Sequence, residues 1–330
     1  MSPPAGPGPH ENDGGASFAR TVPAVRVQVG GLWLGLLSAA VFATSGPIAR
    51  ALLEIGWSAG AAVTARIAGA ALVLVVPAVL QLRGRWSLLR TNARLIVGYG
   101  LLALALTQFA YFSAIAHVTV GVALLLEYLG VIFVVLWLWV RHAQRPRAAT
   151  VTGVALAVVG LVLVLDLTGA NDVDLVGVLW GLAAACGLAG YFILSGNVST
   201  GLPPIVLAAG GMTVGAVALG LLGATGLLPI RVAAADVTLG GAAVPWWAAL
   251  IALVLVSTVV AYTTGIAATR RLGAKLASFV GLVEVLFAIL FAWLLVGELP
   301  GLVQLLGGLL IVAGVAAIRY DELVGRRTPS

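Results

Sequence analysis

Long, continuously apolar runs alternate with short polar segments along most of the chain. Ten such runs, each about 20 residues long, occupy residues 29–53, 58–81, 94–116, 119–140, 148–167, 175–197, 204–226, 245–267, 273–296 and 301–319. About 20 residues of helix cross the hydrocarbon core of a bilayer, whereas the strands of a transmembrane barrel alternate apolar and polar residues. The pattern therefore predicts an all-α membrane protein with ten transmembrane helices.

The composition agrees with this prediction and excludes a soluble enzyme. Of the 330 residues, 61% are hydrophobic and 9% are charged, whereas soluble domains carry about 25% charged residues. Residues 1–28 are rich in proline and glycine, so we expect a disordered N-terminal tail, and residues 321–330 are expected to form a short cytoplasmic tail. The first apolar run is longer than the apolar region of a signal peptide, and we expect it to persist as the first helix.

The basic residues indicate the orientation of the helices. With the N-terminus inside, fifteen of the eighteen Lys and Arg residues fall in cytoplasmic segments, and only Arg50 and Arg231 fall outside. This distribution follows the positive-inside rule, and one missed helix would invert every later loop. We therefore predict a protein of the cell's inner membrane with both termini cytoplasmic. The net charge of +6 needs no nucleic-acid partner, because no basic run exceeds two residues.

The chain contains an internal repeat. A shift of 154 positions aligns residues 123–160 with residues 277–314 and gives ten identities, including Ala123 with Ala277, Trp139 with Trp293, Gly153 with Gly307 and Gly160 with Gly314. A shift of 146 aligns Gly31 and Gly35 with Gly177 and Gly181, and a shift of 151 aligns Tyr111 with Tyr262. The repeats span residues 29–168 and 175–320, with five helices each. Because five is odd, the second repeat is inverted relative to the first, which is a transporter architecture.

Several motifs resemble those of a known family. The stretch from Gly281 to Glu298 contains Glu284 and ends in a Gly-Glu pair, as in the EamA branch of the drug/metabolite transporter superfamily. That resemblance implies ten helices in two inverted halves. Segments 126–130 (LEYLG) and 191–196 (YFILSG) are most similar to those of the threonine/homoserine exporters. Val131 and Val285 stand where the family commonly has proline, so the residue that would bend each helix is missing.

Three ionisable residues lie well inside the apolar runs: Arg66, Glu127 and Glu284. Such residues are costly in a bilayer and usually face a cavity or a partner. Arg66 and Glu127 lie at matching depths, about 12 Å from the outer surface, which predicts an intramembrane ion pair, either direct or through water. Glu284 lies near the midplane without a matching base. Glu284 and Glu127 are therefore candidates for proton coupling, and a helix-packing hydrogen bond is the alternative for Glu284.

Polar and aromatic residues inside the runs predict a substrate cavity between the two repeats. The predicted lining consists of Thr44, Ser45, Gln108, Tyr111, Glu127, Tyr128, Tyr191, Ser195, Ser257 and Tyr262. Gln108 and Tyr111 share one helix face because they are three residues apart. The alternative for the tyrosines is an interhelical hydrogen bond.

These features predict a secondary transporter that exports amino acids, threonine- or homoserine-like, or related small metabolites by alternating access. The proton gradient and the substrate's own gradient are both open as driving forces, and export of drugs or other metabolites is the alternative. A channel, a receptor and an intramembrane enzyme are the alternatives of another class. The sequence contains one cysteine, no His/Cys cluster and no nucleotide-binding signature, so we expect no enzyme activity, metal or cofactor. The expected partners are the substrate and the bilayer, and the oligomeric state is left open.

Overall fold

The computed structural model describes residues 21–118, 120–142, 147–164, 174–296 and 301–325. Sixteen α-helices lie in these ranges: α1 (Thr21–Phe42), α2 (Ser45–Glu54), α3 (Ala59–Leu82), α4 (Ser87–Thr91), α5 (Ala93–Gly98), α6 (Thr107–Ala114), α7 (Val120–Tyr128), α8 (Gly130–His142), α9 (Ala148–Val164), α10 (Leu175–Ser195), α11 (Pro204–Ala224), α12 (Trp246–Val254), α13 (Ala261–Leu272), α14 (Ala274–Gly281), α15 (Val283–Val296) and α16 (Leu302–Gly325). A 3-10 turn covers Val198–Thr200.

Among the described residues, six helical segments are long and apolar enough to cross a membrane: Val29–Glu54, Ala59–Leu82, Ala93–Ala114, Leu175–Ser195, Pro204–Ala224 and Trp246–Leu272. The other four predicted spans correspond to α7–α8, α9, α14–α15 and α16. Of these, α7–α8 is interrupted at Leu129 and α14–α15 at Leu282. The total of ten transmembrane helices therefore stays a prediction.

Helices extend into both predicted tails. Helix α1 begins at Thr21, so residues 21–28 are helical instead of belonging to a disordered tail. Residues 1–20 lie outside the described residues. At the other end, α16 continues to Gly325 and includes the first half of the predicted cytoplasmic tail. The apolar residues locate the part of a helix that can cross the membrane. The helix itself can extend further into polar residues, as long as the backbone hydrogen bonds are made.

Two helix breaks occur without proline. The N–H of Leu129 donates to the carbonyl of Leu126, and the N–H of Leu282 donates to that of Phe279, which is one residue short of the α-helical spacing. A glycine adjoins each break, Gly130 in the first repeat and Gly281 in the second. Glycine is a recognised cause of helix kinks, so the loss of the family's proline has not removed the bend.

Two π-helical segments occupy corresponding places in the two repeats. One covers Tyr99–Leu106 between α5 and α6, and the other covers Leu255–Val260 between α12 and α13. At the first, the Thr107 hydroxyl donates to the carbonyl of Leu102, at 2.8 Å. At the second, the Thr258 hydroxyl donates to that of Leu253, at 2.7 Å. The two threonines are 151 residues apart, which is the shift that also relates Tyr111 to Tyr262.

Glycine contacts confirm the two-repeat architecture. A methyl group added to Gly160 would lie 2.6 Å from the carbonyl oxygen of Gly307, and one added to Gly314 would lie 2.7 Å from that of Gly153. At the shift of 154, Gly160 corresponds to Gly314 and Gly153 corresponds to Gly307. Each contact is therefore the repeat equivalent of the other. Helices α9 and α16 therefore approach each other across a local two-fold relationship, which small residues allow.

Contacts between connections define two ends of the bundle. At one end, the Trp57 indole donates to the carbonyl of Ala233, at 2.8 Å. The same connection continues into a hairpin that pairs Val237–Leu239 with Ala242–Val244. At the other end, Arg270 donates to the carbonyl of Leu202. We call these the Arg50 end and the Arg270 end, after an arginine at each.

Candidate substrate cavity

A cavity of about 370 Å³ lies in the middle of the bundle. Its walls come from α1, α2, the Tyr99–Leu106 segment, α6, α7, α10, α13, α14 and α15. Pockets for small molecules measure about 300–1,000 Å³. The cavity therefore has room for a small metabolite and takes its walls from both repeats.

Most of the predicted lining residues reach this cavity. Those that line it are Ser45, Gln108, Tyr111, Glu127, Tyr128, Tyr191 and Tyr262, together with Glu284. Three others, Thr44, Ser195 and Ser257, do not line it. The hydroxyls of Thr44 and Ser257 bond to each other, 2.8 Å apart, and Ser195 is fully buried. A polar residue at the right depth can face a neighbouring helix, and spacing along one helix does not distinguish the two directions.

Arg66 lies behind the cavity wall, 1% exposed. Its guanidinium donates to the Ser45 hydroxyl at 2.9 Å, the Gln108 side-chain carbonyl at 2.5 Å, the Thr258 hydroxyl at 2.5 Å and the Ser257 carbonyl at 2.7 Å. Arg66 in α3 thus joins both repeats through neutral acceptors. The hydrogen bonds offset the cost of burying the guanidinium.

The predicted direct ion pair between Arg66 and Glu127 is not formed. Two ion pairs occur among the described residues, Arg50 with Glu54 and His117 with Asp174. Glu127 lines the cavity while Arg66 does not, because the guanidinium is held by hydroxyl, amide and backbone oxygens. Matching depth along two helices could not show that neutral groups would satisfy the arginine.

Next to Arg66, the cavity wall offers hydrogen-bond donors. Gln108 accepts from Arg66 and donates its amide to the Tyr262 hydroxyl, at 2.8 Å. A tyrosine hydroxyl that accepts one bond keeps its own proton for donation. Ser45 also accepts from Arg66 and keeps its proton in the same way. The O–H groups of Ser45 and Tyr262 therefore remain available to donate hydrogen bonds in this part of the cavity.

A different part of the wall is acidic. Glu127 lies at the end of α7, and Glu284 lies in the first turn of α15, where the helix dipole favours a negative charge. The two helix breaks are connected here, because the Tyr128 hydroxyl donates to the carbonyl of Gly281, at 3.2 Å. That carbonyl is free because the N–H of Val285 bonds to Leu282 instead. The breaks thus bring both carboxylates to the cavity.

The two ends of the cavity differ in accessibility. At one end the wall includes Arg50, whose side chain is 55% exposed. Towards the other end the wall includes Phe192, Ala268, Thr269 and Ala277, which are all buried. The cavity wall is therefore more exposed at the Arg50 end than towards the Arg270 end.

Several lining residues were missed from the sequence. They are Ser38, Phe42, Thr107, Phe192 and Thr269. Phe42 packs edge-on against Tyr262, with ring centroids 4.9 Å apart, and Tyr191 does so at 5.6 Å. Phenylalanine residues in an apolar run give no signal that separates a cavity from the lipid. Among the described residues, no group of three or more His, Cys, Asp and Glu side chains is arranged to hold a metal.

The fold and the cavity define a class: integral membrane transporters built from two repeats of helices. The model of the EamA-like transporter family matches residues 29–166 and again residues 175–320, so the chain belongs to that family. One crystal structure of a protein is 22% identical to this chain, with a TM-score of 0.70, and the match covers 92% of this chain and 100% of that one. This likeness shows a shared fold. No curated protein matches the chain.

Proposed function

We propose that the protein is a secondary transporter that exports amino acids of the threonine or homoserine kind by alternating access. One observation carries the proposal: the same cavity presents O–H donors backed by a buried arginine and, elsewhere on its wall, two carboxylates. A zwitterionic amino acid carries a carboxylate and an ammonium group. The cavity is complementary to both.

The O–H donors of the cavity wall bind the substrate's carboxylate. Ser45 and Tyr262 each accept a hydrogen bond on the side of Arg66, so each can donate its remaining proton into the cavity. Arg66 adds a positive potential that falls off slowly in a low-dielectric interior. A full ion pair with Arg66 is not required, and this suits a substrate that must leave as well as enter.

The carboxylates of Glu127 and Glu284 bind the substrate's ammonium group. Both line the same cavity. Two carboxylates that face one buried cavity favour keeping a proton, and an arriving ammonium group favours its release. This is the basis on which we assign proton coupling to Glu284 and Glu127.

We further propose ten transmembrane helices in two inverted repeats, 29–168 and 175–320, in the inner membrane with cytoplasmic termini. Contacts between connections support the ten crossings. His117 precedes α7 and contacts Asp174 after α9, whereas Thr150, at the start of α9, contacts Lys275 at the start of α14. Two crossings between residues 118 and 174 account for both contacts.

In that orientation the Arg50 end faces outward. The cavity wall is more exposed at that end than at the other, which supports assigning this structure to the state in which an exporter releases its substrate. A transporter alternates between this state and one in which the Arg270 end is accessible.

Export of a cationic drug or metabolite is the second candidate. The aromatic rings of Phe42, Tyr191 and Tyr262 line the cavity, and aromatic faces attract organic cations. Such a substrate would use the two carboxylates and the rings but would leave the donors near Arg66 unused.

The test is transport by purified, full-length protein in proteoliposomes. Labelled threonine and homoserine are compared with other amino acids and with a lipophilic cation, with and without an imposed pH gradient. Saturable movement of an amino acid establishes the substrate class, and its dependence on the gradient establishes coupling. Movement of the cation alone overturns the amino-acid proposal in favour of the second candidate.

A further inference from the structure

Buried guanidinium nitrogens without a hydrogen-bond partner lie beyond the cavity, towards the Arg270 end. In the described part of the chain, they are Nε and Nη2 of Arg270. Tyr99 lies near Arg270 and beside Ser195, and the Tyr99 and Ser195 hydroxyls interact with each other. The three residues come from the π-helical segment Tyr99–Leu106, α10 and α13, which lie in different predicted spans.

The chemistry of these atoms points to an anion. An arginine N–H can only donate, and tyrosine and serine hydroxyls can donate. Arg270 uses Nη1 for the carbonyl of Leu202, and in the described part of the chain no carboxylate forms an ion pair with it. A carboxylate offers two oxygens with about four acceptor positions, and it pairs with arginine in a bidentate geometry. Three groups of donors would thus converge on one such ligand.

The position connects this cluster to the cavity. The Tyr99 ring lies 6.1 Å from that of Tyr191, centroid to centroid, and Tyr191 lines the cavity. Thr269, the neighbour of Arg270 in α13, also lines the cavity. The cluster therefore lies directly behind the cavity wall at the Arg270 end.

We propose that Arg270, Tyr99 and Ser195 form a second binding site, which receives the carboxylate of the substrate at the Arg270 end. This proposal rests on the proposed function, because it requires a substrate that carries a carboxylate. In the present state two guanidinium nitrogens of Arg270 are buried without partners, which is an unfavourable arrangement for polar groups. Opening of the Arg270 end exposes the donors, and binding of the carboxylate pairs them before the substrate moves to Ser45 and Tyr262.

The first test is transport from each face, in proteoliposomes of defined orientation. In Arg270→Gln, the KM for threonine entering from the Arg270 end rises by about tenfold to a hundredfold, because hydrogen bonds to charged groups are the stronger class. The KM from the Arg50 end stays the same, and so does the KM for threoninol, which has the ammonium group but no carboxylate. Ser195→Ala gives a smaller rise at the same face. Arg271→Gln is the matched control, since Arg271 is exposed beside Arg270.

The second test needs no transport of an amino acid. Phenylglyoxal modifies arginines, and the labelling of Arg270 is followed by mass spectrometry of the full-length protein, with Arg271 as the internal reference. Threonine and lactate slow the labelling of Arg270, and threoninol does not. Protection by lactate without any transport of amino acids would retain the anion site and reject the proposed function.

Two outcomes would overturn the site. One is equal protection of Arg270 and Arg271, or no protection by any carboxylate. The other is a rise in KM for Arg270→Gln that is the same at both faces and for both substrates, because a merely structural arginine would act in that way.

Discussion

The Tyr191 hydroxyl occupies the space that a side chain at Gly265 would need. A methyl group added to Gly265 would meet this hydroxyl and would lie 2.7 Å from the hydroxyl of Ser38. Gly265 in α13 thus fixes where Tyr191 of α10 can lie in the cavity wall.

The contact predicts that Gly265→Ala displaces Tyr191 and impairs transport. Because the shortest contact is with the Tyr191 hydroxyl, Tyr191→Phe in the same chain removes that atom and restores part of the lost unfolding temperature, while the contact with Ser38 remains. Thermal unfolding and substrate uptake of the single and double variants are the measurements. Gly220→Ala is the control, since nothing lies within 4 Å of an added methyl group there. If Tyr191→Phe leaves the defect of Gly265→Ala unchanged, the contact does not limit the site.

The network around Arg66 predicts different effects for Arg66 and Glu127. Arg66→Met leaves four oxygens without their donor, so we expect a loss of about 3 kcal/mol or more in the free energy of unfolding. Glu127→Gln leaves no ion-pair partner behind and should cost less than about 1 kcal/mol. Unfolding in mixed micelles gives both values. Equal losses, together with recovery in an Arg66→Glu/Glu127→Arg double variant, would indicate the direct pair after all.

The two π-helical segments predict unequal roles for equivalent threonines. Thr107→Val removes one hydroxyl bond to the backbone and should cost about 1 kcal/mol. Thr258→Val also removes an acceptor from Arg66, and bonds to charged groups contribute about 1.5–3 kcal/mol. The free energy of unfolding of the two variants tests this order, with each serving as the control for the other. A larger loss for Thr107→Val would contradict the assigned role of Arg66.

The contact between His117 and Asp174 predicts a dependence of stability on acid. The backbone N–H of Val176, and then the His117 ring, lower the pKa of Asp174 from its ordinary value of 3.8. The unfolded chain therefore binds the proton first as the pH falls, so this stabilisation is present above about pH 4 and disappears as the pH drops through the folded pKa. Asp174→Asn should unfold at a lower temperature at pH 7, and the difference from the unmodified protein should shrink towards pH 3. Asp236→Asn, in an exposed loop, should show no such trend.

The position of Glu284 predicts its effect on coupling. Glu284→Gln keeps the shape of the side chain but cannot exchange a proton, so transport should lose its dependence on an imposed pH gradient while the protein stays folded. Uptake at several gradients, alongside thermal unfolding, is the measurement, with Asp236→Asn again as the control. Unchanged gradient dependence in folded Glu284→Gln protein would remove this residue from coupling.

Much of the architecture was visible in the sequence because a bilayer restricts the chain so strongly. Long apolar runs locate helices, and the predicted repeat pairs Gly153 with Gly307 and Gly160 with Gly314, the residues where α9 and α16 meet. Gln108, Tyr111 and Tyr262 were predicted to line the cavity because polar side chains in apolar helices usually face a cavity or a polar partner.

Other features depend on packing between helices, which a single sequence does not reveal. The acceptors of Arg66 come from three different helical segments. The charged residues in the sequence could therefore suggest only Glu127 as a partner for Arg66. The interruption at Leu129 has no proline to signal it. Ser195 and Ser257 point into neighbouring helices because rotation about the helix axis is fixed by partners distant in the chain.

The hydrogen bond from Tyr128 to Gly281 limits how independent the two halves can be. The backbone carbonyl freed by the break in one half is satisfied by a side chain of the other. The second half, produced alone, would keep a broken helix with an unsatisfied carbonyl at Gly281, in a solvent that supplies no water to bond it. The first half thus acts as part of the folding template of the second, and expression as two separate chains would succeed only if the second half folds against the first.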